Sequence, residues 1–278
     1  MIKLLALDLD GTVLNSQSEV SPTTRQAIRE AIAAGVYVVL STGRPYCGIP
    51  RNQFDGLGIQ YCITTNGSGI YSYDSGECLY NHGMSEEFIL PILEHLLTYD
   101  IHLDAYIDGN AYTSLATVDA AMKLDFPPNL LKYVLGTRIR VDDLPAFIRE
   151  HHYHVQKITM NFYPTEDGTL KDRQAVLDYL NSIAGITCVS GGFGNLEITR
   201  DDVSKGKALH ILAERLALAI EETMAIGDTE NDLSIIEAAG MGVAMGNATP
   251  DVKAAADCIT GTNDEDGVAQ AIYTYILK

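Results

Sequence analysis

The chain has 278 residues, 46% apolar and 20% charged, with 37 Asp and Glu against 19 Lys and Arg for a net charge of −18 at pH 7. That length fills one large domain or two moderate ones, and the apolar share builds an ordinary globular core. The negative balance repels nucleic-acid phosphates and anionic membrane surfaces over the Debye length, so neither nucleic acid nor membrane is an expected partner.

Residues 2–7 form a nearly continuous apolar run that stops at Asp8-Leu9-Asp10-Gly11-Thr12. This is the pattern of a strand buried on both faces, as in a parallel sheet. Ser21-Pro22 then offers an N-cap with proline at the first helical position, and helical spacing continues to about residue 34, where Gly35 ends it. A second buried strand over 36–40 ends in Ser41-Thr42-Gly43-Arg44-Pro45, and a third over 61–65 ends in Asn66-Gly67.

Between about 83 and 190 the pattern changes. Short runs such as 102–107 and 157–163 alternate apolar and polar residues, with helices expected near 86–98, 115–124 and 168–182. This reads as an inserted α+β domain over 83–189, with parallel-sheet character returning near 196–199. Residues 204–218 have helical spacing, 223–226 read as a strand, 229–239 as a helix and 241–245 as a strand. The alternation implies right-handed βαβ crossovers and an α/β core, a Rossmann-like doubly wound parallel sheet made of residues 1–82 and 190–278.

No stretch approaches the ~20 apolar residues of a membrane span, and the first residues lack a cleavage site, so a cytoplasmic location is expected. Cys47, Cys62, Cys78, Cys188 and Cys258 are odd in number and include no Cys-x-x-Cys pair, which indicates neither a disulfide framework nor a zinc site.

In an open parallel sheet, ligands bind beyond the carboxyl ends of the strands, so Asp8, Asp10, Ser41, Thr42, Asn66 and Asp228 are expected at one crevice. Asp8, Asp10, Asp228 and Asp232 supply a carboxylate-rich site suited to a hard divalent cation, with Mg²⁺ the expected cofactor. A carboxylate attacks phosphorus to form an acyl phosphate, and a neighbouring acid protonates the leaving oxygen and later deprotonates water; Asp8 and Asp10 suit those roles. Lys205, Thr42 with the backbone amides that follow it from Gly43, and the helix start after Ser204 supply cation and donors for phosphate oxygens. Each fragment taken singly is commonest as a plain turn, a solvated lysine or a helix cap. Their shared position at strand ends of one sheet carries the functional reading.

DLDGTVLNS (8–16), STGR (41–44), TNG (65–67), VSKGKAL (203–209) and GDTENDLSIIEAAG (227–240) resemble the motifs of the haloacid dehalogenase superfamily, and specifically its Cof-type sugar-phosphatase branch with a large inserted cap. The resemblance implies a nucleophile at Asp8, acid/base at Asp10, phosphate contacts from Thr42 and Lys205, and Mg²⁺ held by Asp8, the Asp10 carbonyl and Asp228. It further implies that Asp232 supports the metal, that Asn231 serves the phosphate end, and that Asn66-Gly67 and Met245-Gly246-Asn247-Ala248 lie near the site. The implied substrate is a small phosphorylated metabolite such as a sugar phosphate, with specificity in the inserted domain. Most of the polar residues of that domain, including Asp104, Asp108, Arg138, Arg140, His151, His152 and His154, are read as surface decoration.

A phosphomutase using the same aspartyl-phosphate is the enzymatic alternative, and a non-catalytic metabolite-binding regulator is the other. No Gly-x-Gly-x-x-Gly opens the first βα turn and no glycine stands five residues before Gly206, so neither a dinucleotide-binding nor a P-loop site is expected.

Overall fold

The run Leu4-Leu5-Ala6-Leu7 is buried at every position in the computed structural model, which describes residues 1–115, 124, 126–190 and 194–277. The strands, in chain order, are β1 (Leu4–Leu7), β2 (Tyr37–Ser41), β3 (Tyr61–Thr64), β4 (Gly69–Ser72), β5 (Cys78–Asn81), β6 (His102–Ile107), β7 (Asn110–Ser114), β8 (Arg138–Val141), β9 (Lys157–Asn161), β10 (Ile186–Ser190), β11 (Leu196–Arg200), β12 (Thr223–Gly227), β13 (Met241–Ala244) and β14 (Cys258–Ile259). The chain divides into two compact units, Met1–Tyr80 with Val203–Lys278, and Asn81–Asp202.

The first unit is built on a sheet of order β14-β13-β12-β1-β2-β3-β4-β5. β1 runs parallel to both β2 and β12, and the parallel pairing extends to β3 on one side and through β13 to β14 on the other. The α/β doubly wound parallel core is therefore the observed fold, with β4 turning back antiparallel on β3. Alternate side chains of β1 serve opposite faces. Leu5 and Leu7 join an apolar layer with Ala27 and Ile28 of the helix Pro22–Ala33 and Ile272 of the helix Gly267–Tyr275. Leu4 and Ala6 join the other layer with Leu209 and Leu212 of the helix Lys205–Arg215. After β1 the chain leaves toward β2 and returns on the opposite side at β12, so the crevice beyond the end of β1 is a switch point of the sheet. Ser21 caps the first helix by accepting from the Thr24 amide at 3.0 Å, and Pro22 occupies its first turn.

The second unit has a sheet of order β10-β11-β9-β6-β7-β8, antiparallel throughout except for the β7/β8 pair. Leu196–Arg200, expected from sequence to rejoin the parallel core, is β11 of this sheet and pairs antiparallel with β10 and β9. Its mixed sequence, with Glu197 half-buried between buried Leu196 and Ile198, suits a strand with one apolar face. The expected helix near 115–124 lies largely outside the described residues. Leu103, Ala105, Ile158, Met160 and Ile198 pack on the helices Glu86–Leu96, Leu144–His151 and Arg173–Asn181.

The alternate residues His102, Asp104, Tyr106, Lys157, Thr159 and Asn161 are also buried, which gives this sheet a charged interior face. Arg138 Nε donates to Asp104 Oδ2 at 2.8 Å and Lys157 Nζ to Glu197 Oε2 at 2.9 Å. Asp104 and Arg138 are thus interior residues, not the surface decoration expected from sequence. Burial depresses the His102 pKa, and the neutral ring fits an Nδ1 that accepts from Asn161 Nδ2 at 3.0 Å. His151 stacks against Tyr153 with ring centroids 5.2 Å apart, and His152 Nδ1 pairs with Glu86 Oε2 at 2.8 Å. Removing one member of a buried ion pair leaves the other uncompensated, so Arg138→Ala is expected to cost about 3–5 kcal/mol. A lowered urea midpoint checks it, with partial recovery when Asp104→Asn is added.

Candidate active site

Asp8 follows β1 directly, where its amide donates to Ile226 O at 3.0 Å and its side chain is 8% exposed. Lys205, the first residue of its helix, lies 197 positions later and places Nζ 2.6 Å from Asp8 Oδ1 and 2.6 Å from Asp232 Oδ1. Asp232 is fully buried, and its Oδ2 accepts from the amides of Asp228 at 3.0 Å and Thr229 at 3.1 Å. Burial, then the charge of Asp232, push the Asp8 carboxyl well above the ordinary range, with Lys205 pulling the other way. Burial by itself would depress the Lys205 ammonium, but Asp232 and Asp8 hold it above the usual lysine value.

Asp228 stands after β12. Its Oδ1 accepts from the Thr12 hydroxyl at 2.9 Å, and Asn247 Nδ2 lies 3.5 Å from its Oδ2 while donating to Gly11 O at 2.8 Å. Gly11 has φ +83° and abuts the Asp228 carboxylate, so a Cβ at this position would overlap it. Burial pushes Asp228 up to about 6, helped by the charges of Asp232 and Asp10 and opposed by the Thr12 hydrogen bond and Lys205.

Asp10 has a partner of its own. Its side chain is 58% exposed and accepts from Arg44 Nε at 2.9 Å and Nη2 at 2.6 Å, a two-pronged ion pair. Thr42 is buried, its hydroxyl accepting from the Arg44 amide at 3.1 Å. Thr65, Asn66 and Gly67 have φ of +51°, +57° and +102°. Three successive left-handed residues, one of them β-branched, form a turn the surroundings must hold in place. The Thr65 amide donates to Arg44 O at 2.9 Å and the Asn66 amide to Thr42 O at 3.2 Å. Gly67 lies against the Ser204 carbonyl so closely that a Cβ would overlap it. Asn231 Nδ2 donates to Asn66 Oδ1 at 3.4 Å, and Gly43 lies where a Cβ would press on the same Asn66 oxygen. One turn therefore braces the segments carrying Thr42, Asn231 and Lys205.

Of the residues expected from sequence, Asp8, Asp228, Asp232 and Lys205 meet in one buried group. The Asp10 carboxylate pairs with Arg44, while Thr42, Gly43 and Asn231 gather around Asn66. Thr12 and the Arg44 guanidinium, not expected from the sequence to take part, bind Asp228 and Asp10 respectively. Thr12 stands inside the same Asp-x-Asp-Gly-Thr turn, and a hydroxyl two residues past a carboxylate pair was the available signal.

Ligand oxygens of Asp8, Asp228 and Asp232 lie within 4.8 Å of one another. Three carboxylates against one contacting ammonium leave excess negative charge, and an all-oxygen donor set suits a hard divalent cation. Both Asp232 oxygens accept short hydrogen bonds, at 2.6 Å and at 3.0 and 3.1 Å, whereas Asp228 Oδ2 has only the long 3.5 Å contact with Asn247, so Asp8 and Asp228 are the carboxylates with more oxygen to offer. No helix among the described residues is long and apolar enough to cross a membrane.

A buried carboxylate and lysine at the switch point of a doubly wound sheet, with a second Asp-rich turn beside them, define a hydrolase of the haloacid dehalogenase type. Residues 5–272 match the model of the haloacid dehalogenase-like hydrolases, and the chain belongs to this family. It is 33% identical to the phosphatase YwpJ of Bacillus subtilis, with 96% of this chain and 98% of that protein covered. It is 34% identical to the 5-amino-6-(5-phospho-D-ribitylamino)uracil phosphatase YcsE of the same organism, covering 99% of this chain and 96% of that one. A solved haloacid dehalogenase-like hydrolase from B. subtilis superposes with a TM-score of 0.81 at 30% identity, covering 99% of this chain and 100% of that chain.

Gly67→Ala combines a disfavoured φ with a backbone overlap and is expected to cost at least about 1–3 kcal/mol. At about 2–4 °C per kcal/mol for chains of this order, calorimetry resolves the loss. In the metal-free protein, an Asp228 raised to about 6 binds more protons folded than unfolded. Its share of stability is therefore present at low pH and lost as pH rises from about 4 to 6. Asp228→Asn removes that segment of the slope, which paired melting curves across the window would show.

Proposed function

We propose that the chain is a Mg²⁺-dependent phosphatase acting on a small phosphorylated metabolite, with a sugar phosphate as the substrate class, through an aspartyl-phosphate on Asp8. The observation that carries this reading is the state of Asp8. One oxygen is fixed by Lys205 at 2.6 Å, and the other meets no hydrogen-bond donor among the described residues. That second oxygen is the available nucleophile.

In this reading Asp8 attacks phosphorus while the ester P–O bond breaks, and Asp10 gives its proton to the departing oxygen. Water then attacks the phosphorus of the acyl phosphate, Asp10 takes its proton, and inorganic phosphate leaves with the Asp8 carboxylate restored. Lys205 holds Asp8 in line and carries positive charge to the transferring group, and the Thr42–Gly43 turn and Asn231 offer donors for the phosphate oxygens. Asp232 orients Lys205 and the turn after β12. Asp8 and Asp228, with the Asp10 carbonyl, would hold Mg²⁺, which when bound neutralises the carboxylates and polarises a phosphate oxygen. The raised pKa of Asp8 supports the metal requirement, because added positive charge returns that carboxyl to its ionised, nucleophilic form. The relative YcsE, whose substrate name describes a phosphorylated ribityl chain, supports a polyol or sugar phosphate here.

Phosphate release from sugar phosphates, nucleotides and pyridoxal phosphate is expected with Mg²⁺ and abolished by chelator. Asp8→Asn, which keeps the shape of the side chain, is expected to lower kcat by about 10⁴-fold or more with folding intact. Turnover that survives in Asp8→Asn removes Asp8 from its role. Transfer only to an added sugar hydroxyl identifies a mutase, and no product from any compound identifies a binding protein.

A further inference from the structure

We infer that Arg44 is a positioning residue for the acid/base Asp10, a fixed fork that holds the carboxylate in the orientation from which it serves the leaving oxygen; this rests on the phosphatase reading above. An exposed ion pair ordinarily contributes little, because two long side chains must be ordered to form it. Arg44 is already ordered. Its amide donates to the Thr42 hydroxyl at 3.1 Å, its carbonyl accepts from the Thr65 amide at 2.9 Å, and Nη1 donates to Gly48 O at 3.2 Å. The remaining face of the guanidinium meets both oxygens of Asp10, at 2.6 and 2.9 Å.

Asp10 has no comparable anchor of its own. Its side chain is 58% exposed and stands in the turn before Gly11, where free rotation about χ1 would spread the carboxylate over several directions. Proton transfer to an ester oxygen requires hydrogen-bond reach, and small misplacements are costly. Arg44 itself changes no bond. It stays protonated throughout, while Asp10 gives one proton to the departing oxygen and recovers one from the attacking water.

The kinetic test compares Arg44→Ala, Arg44→Lys, Asp10→Asn and the Arg44→Ala/Asp10→Asn double variant on an alkyl sugar phosphate and on p-nitrophenyl phosphate. Arg44→Ala is expected to lower kcat on the alkyl ester by about 10²-fold, with KM changed by no more than roughly threefold. The loss should be smaller on the nitrophenyl ester, whose leaving oxygen needs little protonation. Arg44→Lys, a point charge without the fork, should recover only part. In the Asp10→Asn background Arg44→Ala should add almost nothing, since it acts through Asp10. Equal losses in both backgrounds, equal losses on both esters, or a rise confined to KM would overturn the inference. A second arm needs no turnover: ¹³C relaxation at the Asp10 carboxyl carbon should show loss of order in Arg44→Ala, and unchanged order would refute the tether. A wild-type protein that releases no phosphate sinks the phosphatase reading, and the relaxation arm still decides whether Arg44 holds Asp10.

Discussion

The ammonium of Lys205 stands 2.6 Å from an oxygen of Asp8 and 2.6 Å from an oxygen of Asp232, with all three side chains buried. Each of these charges loses several kcal/mol of hydration on burial, and only close, hydrogen-bonded contact offsets that loss. The geometry of the first unit answers this demand from three directions. β1 delivers Asp8, the contact of Gly67 with Ser204 sets the start of the Lys205 helix, and two backbone amides hold Asp232. Weakening any one support leaves a charge in the interior without its partner. The group is still short of positive charge, which is why the same residues that require Lys205 also suit a divalent cation.

How much of this was visible in the sequence varies with the physics of each segment. β1, β2 and β12 are buried on both faces, so their continuous apolar runs and the polar residues that end them could be read directly. Asp8, Lys205, Asp228 and Asp232 were legible for the same reason, since each ends a strand or opens a helix turn of one sheet. β11 was misplaced because five mixed residues carry no trace of whether they pair parallel or antiparallel; that depends on its pairing with β10 just before it and with β9, well before it in the chain. The Arg44–Asp10 pair and the left-handed turn at Thr65 were also out of reach. The first depends on which way two side chains turn, and the second defies the local preference of a β-branched residue.

The second unit uses charge differently. Asp104 with Arg138 and Lys157 with Glu197 are side-chain pairs between strands of one sheet, on its polar face. Such pairs contribute little net stability relative to apolar packing, but a slip of one residue in register would bury each charge without its partner. They therefore reinforce the alignment of β6, β8, β9 and β11 that the buried apolar face already favours.

The central place of β1 also has a consequence for how the chain is made. Leu4 pairs with Tyr37 on one side and Thr223 on the other. On a ribosome, the first edge of β1 is closed almost at once, whereas the second waits until nearly the whole of the intervening chain has been synthesised. During that interval an apolar strand offers an open row of backbone donors and acceptors, the surface on which aggregation begins. Long-range parallel pairing forms slowly, so the step that completes the surroundings of Asp8 is also a late and exposed step of the first unit's assembly.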